Sequence, residues 1–93
     1  MVVGILEVDL ALFGATSLKD KRRVVRSVKD RISHRFNVSV AEVDELDFCQ
    51  KAVLGFAMVG NDRQYIEGAL DRIVEQLKWV KDASLVDYRI EWY

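Results

Sequence analysis

Apolar and polar positions along this 93-residue chain alternate with period two, then with period 3.6, and repeat that switch once more before returning to two. Val2 to Phe13 is apolar with Glu7 and Asp9 at alternate positions, and Leu6, Val8, Leu10 and Leu12 form one continuous apolar face, which predicts a central strand. Gly14-Ala15-Thr16 reads as a turn, and Ser17 stands three residues before Asp20 in the manner of a capping box. Leu18, Val25, Val28 and Ile32 then recur at helical spacing, predicting a helix from Leu18 to His34 or Arg35. Phe36 to Val43 is β-branched and alternates weakly, a second strand, and the acidic Asp44, Glu45 and Asp47 read as a connection. Ala52 to Val59 is apolar almost throughout, which predicts a second central strand. Asn61 followed by Gln64 resembles another capping box, ahead of an Ile66, Leu70, Ile73 and Leu77 stripe that should end near Trp79 or Val80. Leu85 to Trp92 alternates again, with Val86, Tyr88, Ile90 and Trp92 on one face and Asp87, Arg89 and Glu91 on the other.

The predicted order is β-α-β-β-α-β in one domain spanning residues 1–93. Right-handed crossovers turn that order into a ferredoxin-like α+β sandwich, a four-stranded antiparallel sheet with two helices on one face. The first and third strands belong at its centre. Such a sheet has one uncovered face. Only one of the sets Leu54/Phe56/Met58 and Val53/Ala57/Val59 can meet the helices, so the other adds to an open apolar face. A patch of that kind marks an interface, and a homodimer through the open face or an edge strand is its simplest use.

Composition removes several classes. Apolar residues are 51% and charged residues 31%, the mix of a folded globular domain rather than a disordered chain. No stretch approaches the ~18 continuous apolar residues of a membrane span, and no basic-then-apolar leader is visible, so a cytoplasmic protein with no membrane partner is expected. Cys49 is the single cysteine, which excludes an internal disulfide and a multi-cysteine metal centre.

The near-neutral total of −1 conceals a strong asymmetry. Ser17 to Arg35 holds eight basic residues, Lys19, Lys21, Arg22, Arg23, Arg26, Lys29, Arg31 and Arg35, against Asp20 and Asp30, leaving +6 there and −7 elsewhere. Lys19, Arg22, Arg23 and Arg26 fall at i, i+3, i+4 and i+7 of the helix, on or beside the side opposite its apolar stripe. Like charges at that spacing weaken a helix by a few tenths of a kcal/mol per pair. A mixed-sign surface would avoid that cost, so the crowding points to a face that contacts phosphates, with Lys29 and Arg35 flanking it. The competing reading is a solvated helix face in a charge-rich protein.

Catalytic material is sparse. His34 is the only histidine and sits where a helix C-terminus favours a cation; no nucleophile stands in a triad context. Cys49 reads as a small apolar residue rather than a reactive thiol. Glu42, Asp44, Glu45 and Asp47 read as a solvated hairpin rather than a site for a hard cation. The glycines form neither GxGxxG nor a GK[ST] loop, and Gly14-Ala15-Thr16-Ser17 offers an anion little more than a helix N-terminus. No catalytic residue, metal or cofactor is expected. Gly55-Phe56-Ala57-Met58-Val59 resembles the middle of an RNA-recognition-motif signature, but Leu54, Met58 and Asn61 replace its basic and aromatic positions.

Ser17-Leu18-Lys19, Lys21-Arg22, the run Arg35-Phe36-Asn37-Val38-Ser39-Val40-Ala41-Glu42, Asp47 with Gln50, and Leu54-Gly55 together resemble the YlxP-like family. This small bacterial family has no assigned function. The resemblance covers essentially the whole chain, and the Arg-Phe-Asn-Val-Ser-Val-Ala-Glu run is its most specific part. It implies a ferredoxin-like fold and no established activity. Through the frequent placement of the family's genes beside those for translation initiation and ribosome maturation, it also implies a role with ribosomal RNA or ribosome assembly. Where the family usually carries tryptophan, this chain has Cys49.

These observations lead to a non-enzymatic module that binds RNA or a ribosomal particle through Lys19, Arg22, Arg23, Arg26, Lys29 and Arg35. The alternatives are a small-molecule-binding or enzymatic ferredoxin-like dimer, and a purely structural interaction protein.

Overall fold

A computed structural model describes all residues, Met1 to Tyr93. The elements are β1 (Val2–Ala11), α1 (Leu18–Arg35), β2 (Ser39–Asp44), β3 (Lys51–Gly60), α2 (Arg63–Leu77) and β4 (Ser84–Trp92). The strands form one antiparallel sheet in the order β2-β3-β1-β4, with both helices on one face: the ferredoxin-like sandwich.

The period-two face of β1 governs the core. Leu6, Val8, Leu10 and Leu12 are fully buried, and Leu54, Phe56 and Met58 of β3 join them. Val25, Val28 and Ile32 of α1, and Ile66, Ala69, Leu70, Ile73, Val74 and Leu77 of α2, close the layer. Burying each large aliphatic side chain contributes about 1.5–3 kcal/mol. The helix layer comes very close to β1 at Gly4, where a Cβ would lie 2.6 Å from Ile66 Cγ2 and 3.0 Å from Trp92. Glycine there lets α2 settle onto the sheet centre.

Ser17 caps α1, its hydroxyl accepting from Asp20 N at 3.2 Å, as the capping-box pattern predicts. The second cap differs from its prediction. Asp62, not Asn61, is the N-cap of α2, and its carboxylate accepts from Gln64 N and Tyr65 N. A carboxylate at that point also complements the positive end of the helix. Phe36 is not the start of a strand: it closes α1 by donating its N–H to the Ile32 carbonyl and packs against the core, so β2 begins only at Ser39.

The facing of β4 departs most from simple alternation. Asp9 pairs with Asp87, but Leu10 pairs with Leu85, so Val86 is an extra residue that reverses the strand's phase. Leu85 therefore packs against the core with Ile90 and Trp92, while Val86 turns out and is 66% exposed. Tyr88 pairs with Val8 yet lies at the sheet edge, largely exposed.

The open face carries Val3 and Ile5 of β1, Val53, Ala57 and Val59 of β3, and Ala41 and Val43 of β2. On its β4 side Arg89 Nη2 meets Glu7 Oε2 at 2.8 Å. No helix is long and apolar enough to cross a membrane.

Candidate nucleic-acid interface

With Val25, Val28 and Ile32 turned into the core, helical geometry leaves the opposite side of α1 to solvent. Lys19, Arg22, Arg23 and Arg26 are all exposed and together line one shallow hollow of about 590 Å³ with Ser27 and Asp30. The spacing read from the sequence thus converges in space: four cations face one carboxylate. None of the four has a carboxylate partner within 4 Å. Lys29 and Arg35 are exposed but do not line this hollow. Lys29 follows Arg26 by three positions, at the margin of the basic face, whereas Arg35 lies in the last turn of α1.

At the N-terminal end of this face Asp20 is held as an anion. Its Oδ2 accepts from the Thr16 backbone N–H at 3.0 Å and from the Thr16 hydroxyl at 2.9 Å. These bonds, the backbone one first, hold its carboxyl below the ordinary carboxylate value, with Ser17 and the nearby Arg23 charge adding to the effect.

Lys21 corrects the charge count made from the sequence. It is 1% exposed, the one charged residue that is fully buried, and is no part of the basic surface. Its ammonium Nζ lies 2.6 Å from Glu42 Oε2 and donates to the carbonyls of Glu45, at 2.6 Å, and Phe48, at 2.8 Å. Two carbonyls accept hydrogen bonds from the ammonium, and the Glu42 carboxylate balances its charge as an ion pair without a hydrogen bond to Oε2. Glu42 Oε2 takes no partner other than this ammonium. The contact fastens α1 to β2 and to the loop leading into β3, where Glu45 adopts a φ of 56°. A sequence signal for this existed: Lys21 stands four residues before Val25 and seven before Val28, in phase with the apolar stripe.

His34 is exposed, with Nδ1 2.6 Å from the Asp30 carbonyl oxygen. Cys49 is half-buried just before β3, its Sγ 3.9 Å from the Ala15 carbonyl. Glu42 turns to Lys21 while Asp44, Glu45 and Asp47 stay exposed, so these acids do not converge. Phe56 is 1% exposed beneath the helices, which removes it as a platform for base stacking.

The family model for the protein of unknown function DUF503 matches residues 3–90. The uncharacterized protein YlxP of Bacillus subtilis (strain 168) is 29% identical over 92 residues, covering 99% of this chain and all of that protein. Among solved structures, the de novo designed protein Foldit4 superposes with a TM-score of 0.57 at 12% identity, over 100% of this chain and 97% of the other. A de novo designed protein with a ferredoxin fold, LFR1 1, matches with a TM-score of 0.57 at 13% identity, over 100% and 84% of the two chains. At such identities these two structures bear on the fold alone.

Proposed function

We propose that this chain, which belongs to the DUF503 family of proteins of unknown function, is a non-enzymatic binding module for RNA or an RNA-containing particle such as the ribosome. The observation that carries the reading is the hollow on α1, where Lys19, Arg22, Arg23 and Arg26 stand together without carboxylate partners. Guanidinium groups suit phosphate because their planar N–H fork matches its oxygens, and three of the four cations are arginines. Lys29 and Arg35 extend the positive surface along the helix. Binding proceeds by neutralising phosphates and releasing their counterions, so it is strong in low salt and carries little base preference of its own.

The test is whether nucleic acid co-purifies at low salt and leaves at high salt. With four single-strand phosphate contacts, affinity falls roughly 50-fold between about 50 and 200 mM salt. Protein that carries no nucleic acid and binds no oligonucleotide at low salt contradicts the reading.

A second reading concerns self-association, and the apolar open face supports it. Val3, Ile5, Ala41, Val43, Ala57 and Val59 form a surface of small and β-branched side chains suited to sheet-on-sheet contact, with Val53 buried among its neighbours on that side. An isologous pair of these faces gives a homodimer in which α1 of each subunit stays outermost.

A further inference from the structure

A second hollow lies at the end of the sheet, away from the outer side of α1. Phe13, just beyond β1, and Phe48, in the loop before β3, are 79% and 51% exposed, and both rings line a concavity of about 370 Å³. Val86, turned outward by the β4 bulge, lines it too, and Asp9, Gln50 and Lys51 supply its polar rim. That volume falls within the roughly 300–1,000 Å³ usual for ligand sites.

The segments bearing the two rings are fastened in place. Lys21 Nζ holds the carbonyls of Glu45 and Phe48, fixing the loop backbone while the Phe48 ring remains outside. Leu12 N donates to the Gln50 carbonyl at 2.9 Å, and Gln50 Nε2 donates to the Ala15 carbonyl at 3.4 Å, tying the start of β3 to the turn after Phe13. Exposed rings on anchored backbone lose little freedom when something stacks on them.

Two smaller depressions lie between this hollow and the basic face. The hollow shares Ala11 and Phe13 with a smaller depression that includes Gly14 and Asp82. Those two residues also line a depression walled by Arg23, and Arg23 belongs to the hollow on α1. Shared lining residues thus lead from Arg23, past Asp20 and Asp82, round the end of β1 to Phe13.

We propose that the Phe13–Phe48 hollow is a base-stacking subsite for single-stranded RNA. It rests on the reading of α1 as the phosphate-binding face: the strand lays its backbone on α1 and places one unpaired base on the rings. Asp9 and its opposed neighbour Asp87 keep negative charge beside the hollow, so a base enters rather than a phosphate. The Asp9 carboxylate accepts hydrogen bonds from an exocyclic amino group, as carboxylates do from cytosine N4. Lys51 provides a cation for the phosphate of that nucleotide.

The experiment compares a labelled twelve-residue oligocytidylate with an abasic ribose-phosphate oligomer of the same length and charge, by anisotropy. Stacking of one base makes the oligocytidylate bind about tenfold tighter than the abasic strand. Phe13→Ser with Phe48→Ser removes that difference and leaves the abasic affinity and its salt dependence unchanged. Phe13→Leu with Phe48→Leu, which retains apolar bulk, gives the same result if the serine pair fails to fold. Arg22→Gln with Arg26→Gln weakens both oligomers equally. Equal binding of the two oligomers by the unaltered protein, with a steep salt dependence, overturns the stacking proposal and leaves the phosphate reading standing. Binding of neither overturns both. An unchanged oligocytidylate-to-abasic ratio in the phenylalanine variants, with altered sedimentation, assigns the rings to a protein contact and also overturns it.

Discussion

Lys21 Nζ and Glu42 Oε2 stand 2.6 Å apart, joining the buried side of α1 to β2 at a point where the lysine side chain is 1% and the glutamate side chain 18% exposed. The same ammonium carries the carbonyls of Glu45 and Phe48, so one side chain ties three segments together. Replacing Lys21 by methionine keeps the aliphatic stem and strands one carboxylate and two carbonyls. Breaking a buried pair from one side costs about 3–5 kcal/mol, and the partial exposure of Glu42 places this case near 3 kcal/mol. Urea denaturation measures the loss directly. Arg22→Met, one residue along the chain on the exposed side, changes stability by no more than about 0.5 kcal/mol.

The start of α2 gives a paired prediction. Asp62→Ala removes the acceptor for Gln64 N and Tyr65 N and lowers stability by about 1 kcal/mol. Asn61→Ala leaves stability almost unchanged. The two denaturation midpoints separate the cap seen in the structure from the one the sequence pattern favours.

That pair also shows what the sequence could and could not convey. Element order, sheet order and the buried stripe on α1 follow from periodicity, because burial selects one face per element and period identifies the element. The cap shifted by one residue because Asn61 and Asp62 are both capping types and only backbone geometry chooses between them. The facing of β4 was hidden because an alternating strand looks the same in sequence with or without an extra residue, and pairing with β1 inserts Val86. The basic face was legible from spacing. The burial of Lys21 is hard to see in sequence, because charge suggests solvent more strongly than helical phase suggests core, and its oxygens come from residues more than twenty positions away. Phe13 and Phe48 lie 35 positions apart and come together only through pairing of β1 with β3.

Asp20 makes stability pH-dependent in acid. Its bonds from Thr16 lower its carboxyl below the ordinary value of 3.8 in the folded state. The folded protein therefore binds fewer protons than the unfolded chain in that region. The contribution is fully present above the unfolded value and is lost as pH falls through the lowered one. Asp20→Asn flattens the acid limb of a stability-against-pH profile, and an acid limb identical to that of the unaltered protein contradicts this assignment.

Self-association is tested by sedimentation at micromolar concentration. A dimer through the open face gives about twice the 10.7 kDa of the chain, and Ala57→Arg, which places a charge at the centre of β3 on that face, returns it to a monomer. A monomer before any substitution removes the dimer from the account.

The salt dependence of RNA binding by the Arg22→Gln, Arg26→Gln variant tests the role of α1 most directly. Both side chains lie off the apolar stripe and line the basic hollow, so the fold is retained. Four phosphate contacts to a single strand give a slope of log affinity against log salt of roughly −3, and loss of two flattens it by about 1.4. The account predicts weaker binding together with that flatter slope. An affinity and slope equal to those of the unaltered protein would contradict it and remove α1 from the binding surface.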